Sequence, residues 1–254
     1  MGDITGYIDL TQVLLYLFWI FFAALVIYLQ KEGKREGFPM ASDNPGEAPA
    51  VGWPDLPATK VFIMPDGTKN PVPRAEVPRE LHAKPSETWR GAPIEPTGHG
   101  LEAGIGPGTW SQRQDHPDVT HEGEAKIVPM RVLDGYEVEG NDTDPRGLEV
   151  VGLDGVQAGS VSDIWVEKGE AVVRYLEIAL EGSGERVLVP IHFSKTKAKL
   201  AQVEVTSVLG EQIKLAPRTA SGEQVTLLEE DKIMAFYGGG LMYAKPDLIE
   251  PLII

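Results

Sequence analysis

Cysteine is absent from the 254 residues. That removes disulfides, Cys-ligated zinc, iron–sulfur clusters and thiol nucleophiles from this chain. Basic residues are scarce: 23 Lys and Arg stand against 38 Asp and Glu, for a net charge of −15 and a pI near 4.8. Phosphate neutralisation needs a basic surface, so this balance argues against nucleic acid as a partner. None of the five histidines forms HExxH. His116 and His121 lie five apart in the acidic stretch HPDVTHEGE, a spacing that does not by itself assemble a metal site, and none is expected. GIGPG at 104–108 and GGG at 238–240 lack the strand-to-helix GxGxxG or GxxxxGKS/T context that cradles phosphate. No serine sits in GxSxG, which argues against an independent hydrolase of that type.

What is present is unevenly distributed. Residues 13–29, VLLYLFWIFFAALVIYL, contain no charge, amide or aliphatic hydroxyl. With 10–12 added, the run is long enough to cross the ~30 Å hydrocarbon core as a helix. A signal peptide would have a basic start and a small-residue cleavage site. Here Asp3 and Asp9 precede the run and Lys31, Lys34 and Arg35 follow it. The expectation is a retained transmembrane helix over 11–30, with 1–10 outside (periplasmic) and the bulk of the chain cytoplasmic.

The stretch 31–100 is rich in proline: 12 of the 20 prolines fall between Pro39 and Pro96. Proline removes a backbone donor and fixes φ, so long helices and central strands are not expected there. KVFIM at 60–64 followed by PDG reads as a strand and turn. Trp53, Phe62 and Trp89 give the stretch apolar groups to bury, and an extended arm lying along a partner is expected.

Residues 101–254 read as a small β domain. Strand-like runs occupy 126–133, 148–153, 159–167, 172–180, 185–193 and 199–208, separated by Gly, Asp and Ser clusters. Short strands at this spacing predict a closed or nearly closed barrel. In 172–180, Arg174, Leu176 and Ile178 alternate with Val173, Tyr175 and Glu177, which predicts two distinct faces. Trp165, between Ile164 and Val166, is expected in the core. At 225–243 the spacing turns helical, with Thr226 as N-cap and Glu229 three residues later. Gly238 to Gly240 read as a stop, for a helix of about ten residues. This domain holds 26 acids against 14 bases.

The remaining chemistry lies in carboxylates. Glu122 and Glu124 flank a glycine; Glu167 and Glu170 bracket a Lys-Gly turn, with Arg174 four residues on. Acids that neighbour other acids have raised pKa values and can both accept and release protons.

Several blocks carry a resemblance: YLFWIFFAALVIYLQ with KREGFP after it, GIGPGTW, KIVPM, SDIWVE with RYLE, and VTLLEEDKI with GGLMYA. Together they make the chain resemble, nearly end to end, the H-subunit family of the purple-bacterial photosynthetic reaction centre. Residues 150–208 are similar to the wider PRC-barrel family. The resemblance implies a mainly β fold with one N-terminal transmembrane helix, a cytoplasmic PRC-type barrel and a short C-terminal helix. It implies a structural and proton-conducting subunit, not an enzyme, in the bacterial inner (intracytoplasmic, chromatophore) membrane. Such a subunit caps the L and M subunits and supports proton delivery to the secondary quinone. No cofactor is expected on this chain alone; bacteriochlorophyll, bacteriopheophytin, quinones and non-haem iron would belong to L and M. Antenna polypeptides, a bound cytochrome and membrane lipids are further candidate partners.

By the same resemblance Glu170 matches a buried glutamate of the proton path, Arg174 the arginine near it, Glu167 an aspartate of that turn, and Lys126 a lysine beside the surface uptake point. The chain departs from the family at that point, where Thr120, Glu122 and Glu124 replace an Asp and two His found in some members. Glu122, Glu124 and His121 are then the expected acceptors, with His116 in support. The alternatives are a membrane-tethered PRC-barrel adaptor for another protein or RNA, against which the domain's charge speaks, and a membrane-anchored enzyme, which would need a convergent His/Asp/Glu site.

Overall fold

The computed structural model describes residues 3–5, 8–40, 51–65, 67–73, 82–89 and 92–249. The rest of the proline-rich stretch lies outside the described residues. The chain divides into two compact units, Met1–Arg79 with Glu87–Ala92, and Glu80–Ser86 with Pro93–Ile254.

The first unit is built on α1 (Leu10–Gly33), preceded by a short antiparallel ladder of β1 (Asp3–Thr5) and β2 (Ile8–Asp9). Asp9 caps the helix by accepting from the Gln12 amide at 2.7 Å. No residue of α1 is buried within the chain, and its mean hydropathy reaches 2.3. An apolar surface on every side suits lipid or a partner helix and not water. The KREGFP block ends the helix. Lys34, almost fully buried, donates from Nζ to the carbonyls of Val51 (2.7 Å), Gly52 (3.0 Å) and Pro54 (2.6 Å). Arg35 donates to Ala58 O and Val72 O, and Lys60 reaches Glu32 at 2.7 Å. These bonds fix the hairpin of β3 (Lys60–Ile63) and β4 (Lys69–Val72) to the helix end. The strand expected at 60–64 is present.

In the second unit, β5 (Ala83–Pro85) pairs with β6 (Ile94–Pro96). A larger sheet follows: β7 (Ile127–Pro129), β8 (Glu149–Val151), β9 (Gln157–Glu167), β10 (Val172–Leu180), β11 (Arg186–Pro190), β12 (Ser194–Lys197) and β13 (Gln202–Val205). Its order is β11-β10-β9-β8-β13-β12, with β7 also on β9. The long β9 pairs with β8 along its first half and with β7 at its far end, where Ile127 faces Glu167. β8 and β13 are parallel and the other pairs antiparallel. Val150, Ala158, Val161, Ile164, Leu176, Ile178, Val189, Val203 and Val205 fill the interior, and Trp165 is buried with them.

Three expectations change. β10 does not keep two contrasting faces: Tyr175, Leu176, Glu177 and Ile178 are all buried in succession. A register shift against β9 leaves Arg174 unpaired, as a bulge does, and beyond it both faces of the strand are covered. The run 199–208 contributes only β13, while the lysine-rich 194–197, not read as a separate strand, forms β12 beside it.

The third change is the C-terminal helix. α2 (Leu227–Tyr243) has 17 residues and runs through Gly238–Gly240 without stopping. The expected capping box of Thr226 and Glu229 is present. The glycines are there for close approach. A Cβ on Gly240 would lie 2.3 Å from Ser207 O, and one on Gly239 3.2 Å from Gly108 Cα. The GIGPG segment and the GGG segment are therefore two sides of one backbone-to-backbone contact.

Candidate functional site

Residues 118–126 form a tight acidic loop. Val119 bridges Ala125, Thr120 N–H donates to Glu124 O (2.8 Å), and Lys126 N–H to Asp118 O (2.8 Å). Gly123, at φ +85°, permits the turn. The loop is held against the end of β9 by Lys168, whose N–H donates to Lys126 O (2.9 Å) and whose Nζ donates to Glu124 Oε2 (2.7 Å).

Between the loop and the β9–β10 turn lies an open groove of ≈ 470 Å³, lined by His121, Glu122, Glu124, Lys126, Lys168 and Gly169, among others. Four of the sequence-expected residues thus meet in one place. Glu167 lies beside it, buried, with Oε1 3.5 Å from Lys126 Nζ and 3.0 Å from where a Cβ on Gly169 would sit. That oxygen has no hydrogen-bond partner, and the buried Thr120 Oγ1 has none either. Glu170 is exposed on the adjoining turn, before Ala171 at φ +53°. His116 is not part of the groove; its ring nitrogens face Gln114 Oε1 and Pro117 O.

Two lysines of the groove are paired with carboxylates, Lys168 with Glu124 and Lys126 with Asp118 and Glu167. The Lys168 ammonium holds the Glu124 carboxyl below the usual carboxylate range. Glu167, and then Asp118, push the Lys126 ammonium above its ordinary value. Among the described residues, no group of three or more His and carboxylates is placed to hold a metal ion.

Arg174 does not join this groove. Its Nη2 is 4.0 Å from Glu230 Oε2, on the first turn of α2. Glu230 is buried and accepts from Tyr175 Oη at 3.1 Å. A cavity of ≈ 130 Å³ lies over it, lined by Arg113, Arg174, Tyr175, His192, Glu230, Asp231 and Met234. Segment 110–117 forms part of that wall: Ser111 N–H donates to Asp231, Leu228 N–H to Gln114 O, and Leu227 N–H to His116 O. Burial raises the Glu230 carboxyl above its ordinary value, while the Tyr175 bond and the charges of Arg174 and Arg113 oppose the rise. Sequence reasoning missed this acid. Its signal was the helical period: Glu230, Ile233 and Tyr237 fall at i, i+3 and i+7, and the latter two are fully buried.

Two family models match. Residues 2–132 match the photosynthetic reaction centre, H-chain N-terminal region. Residues 137–210 match the PRC-barrel domain.

Proposed function

We propose, for this chain, which belongs to the photosynthetic reaction centre H-chain family, that it caps the L and M subunits on the cytoplasmic side and delivers protons toward the secondary quinone. In this reading α1 spans the membrane once with its N-terminus outside, and the 31–100 arm lies on L and M. The demand for such a cap is physical. A quinone that takes up two electrons in a low-dielectric site becomes a dianion of very high energy unless protons follow. The cap must exclude bulk water and still conduct protons.

The observation that carries the reading is the groove. His121, Glu122, Glu124 and Lys126 line it, and it abuts the turn that bears Glu167 and Glu170. Groups of this kind collect protons at a surface, and the turn gives them a next acceptor within a few residues. Glu170 is exposed in the isolated chain; docking on L and M supplies its burial.

Flash-induced quinone reduction against pH tests this in the assembled complex. Glu170→Gln keeps the shape and removes the exchangeable acid. It is expected to slow the proton-coupled second electron transfer and to leave primary charge separation unchanged. Glu122→Gln or Glu124→Gln alone is expected to do less, because the groove offers several acceptors. A Glu170 variant indistinguishable from wild type at every pH, beside a blocked Glu122/Glu124 double variant, would overturn the role of Glu170.

A further inference from the structure

Among the buried glutamates of the second unit, Glu177 and Glu230 lie in surroundings that differ in kind. Glu177, on β10, is surrounded by donors. Its carboxylate accepts from Ser162 Oγ (2.6 Å), Trp165 Nε1 (3.0 Å) and Arg131 Nη1 (3.1 Å), and Arg186 Nη1 stands at 3.2 Å. Burial is the largest single influence and disfavours the charged form, but the donors and the Arg131 charge together outweigh it and hold the carboxyl below its ordinary value. Glu230 receives one hydrogen bond, from a neutral phenol, and its nearest cation is at the outer limit of an ion pair.

Glu230 also has a route to water. The cavity above it is rimmed by Arg113, His192 and Met234, all exposed. The groups that face it come from four directions: Arg174 and Tyr175 from β10, Arg113 from segment 110–117, His192 from the turn after β11, and Asp231 from α2 itself. Asp118 adds a negative charge from a greater distance. Two carboxylates in one fold whose environments push them apart mark one as a fixed charge and the other as a proton-exchanging acid.

We propose that Glu230 is a proton-exchanging acid of this chain, separate from the groove residues. It takes a proton from water in the cavity onto its free oxygen, Oε1, and returns it the same way. Among the described residues Oε1 makes no hydrogen bond, so the proton has room there. Tyr175 is the positioning residue. Its phenol is pushed above its ordinary range by burial and by the Glu230 charge, so it keeps its proton and donates to Oε2 in both states. No bond other than O–H forms or breaks: carboxylate and hydronium give carboxylic acid and water. The coupling of this acid to quinone reduction rests on the function proposed above; its protonation does not.

Infrared spectroscopy of the full chain in detergent, titrated against pH, reads the protonation. Wild type is expected to keep a carboxylic-acid C=O band after the exposed acids have ionised. Glu230→Gln should lose that band with the fold intact, since the amide preserves the shape and the acceptor for Tyr175. Tyr175→Phe should move the band and its midpoint upward, because the bond that favours the charged form is gone. A band unchanged in Glu230→Gln, or no such band in wild type, overturns the proposal. In the assembled complex, flash-induced proton uptake reads the coupling: a lower uptake in Glu230→Gln supports a relay. Unchanged uptake in Glu230→Gln, with a slowed Glu170→Gln, overturns the relay and leaves the groove reading standing. A silent Glu170→Gln beside a titrating Glu230 overturns the groove reading alone.

Discussion

At the scale of single residues, two buried carboxylates of the barrel are tied together by an arginine at the surface. Arg131 donates from Nη1 to both Asp163 Oδ2 (3.0 Å) and Glu177 Oε2 (3.1 Å), and from Nη2 to Gly222 O. Arg131→Met leaves the buried Asp163 without its cation while Glu177 keeps Arg186, so it is expected to cost about 1–3 kcal/mol by chemical denaturation. Trp165 lies at the same node, 1% exposed, with its indole N–H on Glu177. Trp165→Ala should cost roughly 3–5 kcal/mol, and stability equal to wild type would contradict a core role. Glu177 and Glu230 predict opposite pH dependences. Glu177 sits below its ordinary value in the fold, so its contribution is present above that value and is lost as pH falls through the lowered one. Glu230 sits above its ordinary value, so the fold binds the proton more tightly than the unfolded chain. Stability should decline as pH rises through the window between the ordinary value and the raised one. Denaturation midpoints across pH should show a shallower acid-side loss in Glu177→Gln and no such decline in Glu230→Gln.

At the scale of elements, α2 is the piece whose length the glycines disguised. Its start follows the sequence rule: Thr226 accepts from Glu229 N–H at 3.1 Å, and Glu229 reaches back to Thr226 N–H at 2.8 Å. Thr226→Ala is expected to cost about 1 kcal/mol, the usual value of such a cap. Its course through Gly238–Gly240 follows from packing. A methyl on Gly240 would meet backbone at 2.3 Å, whereas one on Gly238 would meet Pro107 O at 3.1 Å. Gly240→Ala should therefore destabilise by at least ~1–3 kcal/mol, and Gly238→Ala by distinctly less. If helix propensity decided instead, both substitutions would stabilise α2. Thermal melts of the two variants separate these accounts.

At the scale of the whole molecule, the described part of the first unit is apolar where it is most exposed. α1 buries no residue within the chain, and in β3 Val61, Phe62 and Ile63 are all exposed. A lone two-stranded hairpin is marginal in water. The chain in detergent, without partner subunits, should exchange amide hydrogens quickly across 60–72 and slowly across 157–190; assembly should slow the former. Equal protection in the free chain would argue against a partner-dependent arm.

What the sequence determined by itself is what local rules can carry. The apolar run sets a membrane-length helix because each residue contributes the same transfer energy wherever its neighbours lie. The strands β9 and β10 are legible from β-branched runs between turn residues, and the cap of α2 from a three-residue spacing. His121, Glu122, Glu124 and Lys126 came together because they are close in sequence and the loop that holds them is short. Only the tertiary structure decided the rest. One register shift leaves Arg174 of β10 unpaired, near Glu230, and a second leaves Ser162 of β9 unpaired beside Glu177; no pattern along one strand encodes a shift set by its neighbours. The role of Gly238–Gly240 depended on Gly108 and Ser207, which lie far away in the chain. Glu230 became a buried acid because segment 110–117 folds back along α2. Burial and partner geometry belong to contacts distant in sequence, and those contacts decide in which direction each buried carboxyl is shifted.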